Sequence, residues 1–442
     1  YRCINKIVFI NDGWPEVRIG IGDDNIFFQL MKNSGLLILF IFFINFYPSK
    51  DKLFGLTIFL YNLFSYLLFS FDFKFRENKF LYSYEIFFVE IIILYLIFLH
   101  LSENRKLDNI LENLNNFFQN LQQKHILFIS SVVAFRSLYV FLNNTYFFNI
   151  PDWLINYNFG YVRRGFSGTL LLMISEDLNF VSYKLLPLIT IILHFSITYL
   201  ALSVFQENSK NMYSVFLLLS PLFILFPVFN VSKGAGNKEA IGILIFLLLI
   251  RYSYKKIDKK KIFLISLFIG FSLFTHEVNI FILIFVVLSS IFLKIKIDKL
   301  LISSILIFSA LLIISIFLFP SNEEIPELLC ENIFLNIEKI DCSKSSWLQQ
   351  DFNESLRISI LRIFEDYQYL FVYGIYFFLS ILPLLMSGWI GKNLRLNILV
   401  LLIITPLFLI AIDWGRWLSI LIHFLTIIYF VNLGKNKSGI QF

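Results

Sequence analysis

Runs of apolar residues long enough to cross a bilayer recur along this chain, and few folds can accommodate them. The stretches 126–142, 185–205, 213–229, 300–319, 370–389 and 396–412 each approach the roughly 20 residues that a transmembrane helix needs. They are apolar all round, whereas the strands of a membrane β-barrel alternate apolar and polar over about ten residues. The expected architecture is therefore an all-α, polytopic bundle of about 12 spans, in which every backbone amide is satisfied within its own helix.

The chain is 58% hydrophobic, with a mean hydropathy of +0.75, and its few charges collect in short clusters between the runs. A net charge of +6 then reads as the loop lysines that orient membrane helices rather than as a nucleic-acid footprint. The 55 Phe accompany Ile, Leu, Asn and Lys and reflect compositional bias more than an aromatic site.

The loop Lys255, Lys256, Lys259, Lys260 and Lys261 fixes a cytoplasmic face, and alternation from it orients the rest. Lys294, Lys296 and Lys299 return inside, as do Lys392 and Arg395. Segments 143–184, 230–239 and 321–366 fall outside, together with residues 413–417. Upstream lie an N-terminal segment 1–34, a transmembrane unit 35–101 of about three spans and a cytoplasmic amphipathic linker 102–125, so the body runs 126–442. Cys330 and Cys342 share the late outer loop, where an oxidising compartment favours a disulfide.

On this map the costly residues share one face. Charged side chains at membrane depth cost at least about 2.5 kcal/mol each and usually serve a cavity or a partner. Pro151-Asp152-Trp153 precedes Tyr161-Val162-Arg163-Arg164-Gly165, in which adjacent guanidinium forks suit phosphate oxygens. The competing reading is an interfacial anchor, with Trp153 and Tyr161 in an aromatic belt. His276-Glu277 interrupts an apolar stretch, either at an outer turn or in a kinked helix, and could exchange a proton near neutral pH. Asp413 and Arg416 are spaced to meet on one helical face. Lys233, Lys238 and Glu239 in a Gly-rich outer loop, and Arg136 inside a span, with Asp152 or Asp413 as its partner, complete the candidates. His100, His125, His194 and His423 are scattered without metal-ligand spacing.

This order of features resembles the membrane-embedded glycosyltransferases of the GT-C superfamily: a span, an outer loop bearing Asp152 and the Arg163-Arg164 pair, further spans, then a large late outer loop. It is similar also to the O-antigen polymerase type of enzyme, over roughly residues 126–432. The resemblance implies a GT-C-like bundle in a bacterial inner membrane. It implies sugar transfer from a polyprenyl-phosphate-linked donor to a glycan or lipid acceptor on the extracytoplasmic face. Asp152 would stand where the family's Asp is catalytic or metal-associated, with Glu277 and His276 as further candidates for proton transfer. Arg163, Arg164 and Arg416 would hold the donor phosphate, with Lys238, Glu239, Asp413 and Arg136 as further binding candidates. No organic cofactor or nucleic-acid partner is expected, and a divalent metal is left open. The alternative is a transporter or flippase of a lipid-linked sugar or anionic solute, which would use the same arginines for binding.

Overall fold

The computed structural model describes residues 120–142, 146–162, 164–208, 211–218, 222–223, 236–253, 258–318, 324–333, 367–410 and 414–437, with a few single positions besides. Every regular element among them is a helix. The chain divides into two compact units, Tyr1–Glu103 and Asn104–Phe442, and the described residues all belong to the second. The expected segment 1–34, the unit 35–101 and most of the linker 102–125 lie outside them.

In chain order the helices are α1 (Gln123–Val140), α2 (Tyr146–Leu154), α3 (Gly165–Ile174), α4 (Leu186–Asn208) and α5 (Met212–Leu218). They continue as α6 (Glu239–Tyr252), α7 (Lys259–Thr275), α8 (Asn279–Phe292), α9 (Lys299–Leu318) and α10 (Ile325–Asn332). The order ends with α11 (Tyr367–Met386), a single helical turn Trp389–Lys392, α12 (Leu394–Ile410) and α13 (Trp414–Lys437). Among the described residues, three helical stretches are long and apolar enough to cross a membrane: Leu178–Asn208, Lys299–Ile316 and Trp414–Gly434.

Packing separates a central helix from a peripheral one. Of the apolar window of α13, 78% is buried, against 17% for α9, so α13 is the hub and α9 lies at the edge. Phe430 of α13 meets Phe205 of α4 at 5.2 Å, and Phe424 meets Phe285 of α8 at 4.4 Å and Phe246 of α6 at 5.5 Å. On α9, by contrast, Leu306, Ile307, Leu311 and Ile314 are exposed, a contiguous apolar surface of the kind that lipid covers without penalty.

Side-chain contacts show which helix ends lie together. Gln206 at the end of α4 donates to Leu121 O just before α1, at 2.6 Å. Arg251 at the end of α6 pairs with Glu207 at 3.6 Å, and Asn211 before α5 donates to the Tyr429 hydroxyl at 3.0 Å. One end of the bundle therefore gathers the start of α1 and the ends of α4, α6 and α13. This is the end from which α7 sets out after the lysine-rich loop, capped by Asp258, whose side chain accepts the Lys261 N–H at 2.8 Å. That backbone hydrogen bond holds the Asp258 carboxyl below its ordinary range.

Two apolar stretches fold differently from single helices. The run 213–229 does not continue as one helix: α5 stops at Leu218, ahead of Pro221, which has no N–H to give the helical ladder. Tight turn bonds follow, from Ser220 N–H to Leu217 O and from Phe223 N–H to Ser220 O. The stretch around His276 is two helices, not one kinked helix, because α7 ends at Thr275 and α8 begins at Asn279. The segment 143–184 is helical for much of its length: α2 and α3 form a tight hairpin, and a short turn, Leu178–Phe180, leads through a wide turn into α4. The hairpin depends on Gly168, where a Cβ would run into the main-chain carbonyl of Ile155. The short α10 buries Ile325, Leu329 and Cys330, the last in a disulfide; its expected partner Cys342 lies outside the described residues.

Candidate functional site

At the opposite end of the bundle the N-termini of α3, α6, α8 and α13 come together. Each brings ionisable residues at or next to its first turn: Arg164 before α3, Lys238 and Glu239 at the start of α6, His276 and Glu277 in the turn before α8, and Arg416 in the first turn of α13. Asp152 joins them from α2. These seven residues form one continuous network.

Arg164 is its centre. Its backbone is left-handed, φ 68° and ψ 9°, a conformation that costs a non-glycine residue roughly 1–2 kcal/mol. The strain is held from both sides. The Arg164 carbonyl accepts a hydrogen bond from Lys238 Nζ at 3.2 Å, and the guanidinium grips Glu277. Nε donates to both carboxylate oxygens at 2.9 and 3.0 Å, and Nη2 donates to Oε1 at 2.6 Å. Nη1 points to Asp152 Oδ1 at 3.5 Å.

Lys238 is fully buried, with Nζ 3.9 Å from Asp152 Oδ2 and 5.8 Å from the Trp153 ring centroid. Trp153 in turn donates its indole N–H to Gly236 O at 2.6 Å. That bond ties the loop before α6 to α2, and so places Lys238 beside Asp152.

A second, sealed part of the network lies alongside. Glu239 Oε1 accepts from Arg416 Nη1 at 2.7 Å and faces His276 Nε2 at 3.5 Å. His276 Nδ1 accepts the Val278 N–H at 3.2 Å, so the imidazole proton sits on Nε2, toward Glu239. His276 and Glu277, expected as a proton-handling pair, are neighbours within this network. Nδ1 stands 3.7 Å from Glu277 with its lone pair already used, while Glu277 is turned to Arg164.

Three acids, Asp152, Glu239 and Glu277, meet three basic side chains, Arg164, Lys238 and Arg416. Their charges balance, as partly desolvated groups require. The placement of the cations is unusual even so. A helix N-terminus carries a partial positive charge that favours acids, and Ser, Thr, Asp or Asn are the stabilising caps. Here Arg164 and Lys238 occupy N-cap positions with no side-chain cap bond. A local rule broken in this way marks a functional site more often than a structural one.

Close helix packing makes the meeting geometrically feasible. At Gly242, one turn into α6, a Cβ would collide with Asn279 Oδ1 at the start of α8. Without that Cβ, α6 and α8 approach until Glu239 and His276 face each other. Asn279 also donates to Ser272 O on α7 at 2.9 Å, bridging the ends of α7 and α8. Neither Gly242 nor Asn279 was among the sequence candidates. The signal for Asn279 was available, since it is a polar residue two positions after Glu277 in an apolar stretch; Gly242 had none.

Of the other candidates, Arg136 is half-buried within α1, and Arg163, Lys233 and Asp413 lie outside the described residues. Trp153, Trp414 and Trp417 are all buried, which does not suit an interfacial belt. Tyr161 stacks on Tyr157 at 5.7 Å, and its hydroxyl bonds Ser315 of α9 at 2.8 Å. His423 bonds Ser419 O through Nδ1 at 2.8 Å and packs on Phe223. The residue set does not fit a divalent metal: each carboxylate of the network faces a cation, and among the described residues no trio of His, Cys, Asp or Glu converges to hold one. Compared with protein-family models, curated proteins and solved structures, the chain has no match.

Proposed function

We propose that this chain is a multi-pass glycosyltransferase or polysaccharide polymerase of the bacterial inner membrane, with about 12 spans and a GT-C-like build. It transfers a sugar from a polyprenyl-phosphate-linked donor to a glycan or lipid acceptor on the extracytoplasmic face. The observation that carries this reading is the convergence of Asp152, Arg164 and Lys238 at the N-termini of α3 and α6. Helix N-termini with adjacent Arg and Lys suit a phosphate, and the carboxylate beside them suits a proton acceptor.

Helix length adds that the site is recessed. α6 and α8 have 14 residues each, which rise only about 21 Å, less than the roughly 30 Å of a bilayer core. A lipid-linked substrate meets such a recess with its chain still in the bilayer and its head group inside.

In the reaction the acceptor hydroxyl attacks the anomeric carbon of the donor sugar. Asp152 takes the hydroxyl proton as the new C–O bond forms. The old bond to the phosphate oxygen breaks, and its electron pair leaves with the phosphate. Arg164 and Lys238 stabilise the charge that accumulates there. Asp152 lies 3.5 Å from Arg164 Nη1 and 3.9 Å from Lys238 Nζ, directly beside the two side chains that would hold the phosphate. Arg416, Glu239 and His276 position the start of α6 from behind.

A second reading rests on the same short helices. Half-length helices that aim their N-termini at an anionic group are also the geometry of carriers, which would move the lipid-linked sugar without chemistry. Purified protein supplied with a polyprenyl-phosphate sugar and acceptor separates the two. Turnover that is lost in both Asp152→Asn and Arg164→Ala supports the transferase; binding without turnover, unchanged by Asp152→Asn, supports the carrier.

A further inference from the structure

The Arg164 fork is occupied by the protein's own carboxylate. Glu277 takes Nε and Nη2 together, the paired arrangement that two phosphate oxygens also adopt. Arg164 itself has little freedom to turn elsewhere, because its left-handed backbone is tied through its carbonyl to the fully buried Lys238. Glu277, in contrast, rides on the short turn between α7 and α8. The pair is also accessible: the side chains of Arg164 and Glu277 are 32% and 24% exposed, whereas Glu239 and His276 behind them are 3% and 4% exposed.

Charge decides what happens when a phosphate arrives. The network is balanced with Glu277 in place, so a phosphate added at Arg164 would sit against both Glu277 and Asp152. Like charges in a partly desolvated site repel strongly. One carboxylate must leave the fork, and Glu277 is the one that occupies it.

We infer that Glu277 is a built-in stand-in for the ligand phosphate: it closes the Arg164 fork in the empty site and is displaced when a phosphate group binds. The inference rests on the proposed phosphate site and adds a competition within it. Its consequence is economy of charge, since three cations can gather at four helix N-termini without a bound anion. Glu277 is thus a positioning residue for Arg164, while Asp152 remains beside the displaced carboxylate to take the proton.

The test is equilibrium binding by the full-length protein in lipid nanodiscs, with two probes, inorganic pyrophosphate and a sugar-free polyprenyl monophosphate. Glu277→Gln removes the competitor and keeps the size of the side chain. We expect it to bind polyprenyl monophosphate roughly tenfold more tightly than the wild type, the scale of one competing charge-assisted hydrogen bond, while Arg164→Gln binds neither probe. If Glu277→Gln does not fold, Glu277→Asp, whose shorter carboxylate loosens the fork, is expected to gain affinity in the same direction. Tighter binding of both probes marks a site for phosphate in general, and tighter binding of the lipid alone marks a lipid head-group site; either supports displacement. Wild-type binding that Glu277→Gln and Glu277→Asp leave unchanged or weaken overturns the displacement and leaves the phosphate site standing. No binding by any of these proteins overturns both.

Discussion

Arg164 concentrates the chemistry of the site in one side chain, strained at its backbone and bidentate at its tip. Arg164→Lys keeps the charge but loses the planar fork, and transfer should fall at least about tenfold, the value of one charge-assisted hydrogen bond. Rates measured at saturating donor would show it, and wild-type rates would mean that charge alone suffices. Glu239 has a different task. Removing its charge with Glu239→Gln leaves Arg416 and His276 facing a neutral group, and breaking a buried pair in this way costs about 3–5 kcal/mol. Thermal unfolding in detergent should show a clear drop in midpoint that Glu239→Gln with Arg416→Met largely restores; equal midpoints for wild type and the single variant would deny the pair its structural role.

At the scale of helices, the site depends on two close approaches that glycine permits. Gly242→Ala sets a methyl group against Asn279 Oδ1 and should destabilise by about 1–3 kcal/mol, the usual penalty of overpacking. Adding Asn279→Ala removes the obstruction and should recover much of the loss, whereas a penalty that persists in the double variant would place its cause elsewhere. The sequence made the charged residues conspicuous, because ionisable groups in an apolar chain are few and each needs a reason to be there. Asp152, Arg164, Lys238, Glu239, His276, Glu277 and Arg416 were all readable as candidates on that ground. Their pairing was not readable. That Arg416 reaches Glu239 across 177 positions, and that His276 Nε2 faces Glu239, follow from helix packing, which composition does not encode. Helix existence was similarly legible in the long apolar runs, while the end of α5 before Pro221 and the helical hairpin of α2 and α3 came from local breaks inside segments that read as one span or as loop.

For the whole molecule, the separation of two ends is the organising fact. One end gathers the starts of α3, α6, α8 and α13 with the charged network, and the other gathers the ends of α4, α6 and α13 near the lysine-rich loop before α7. The exposed residues Glu176 and Lys259 lie toward these two ends. In a Cys3→Ser background, Glu176→Cys should react with an impermeant maleimide on intact cells, and Lys259→Cys only after permeabilisation. The reverse pattern would invert the assigned faces. The most direct measurement of the central claim is sugar transfer in sealed membrane vesicles of known sidedness, with the polyprenyl-phosphate sugar and acceptor supplied to one face at a time. Product should form only where the extracytoplasmic face meets the substrates, and should vanish in Asp152→Asn. Product formed from the cytoplasmic face, or undiminished in Asp152→Asn, would contradict the assignment of this network as the site of transfer.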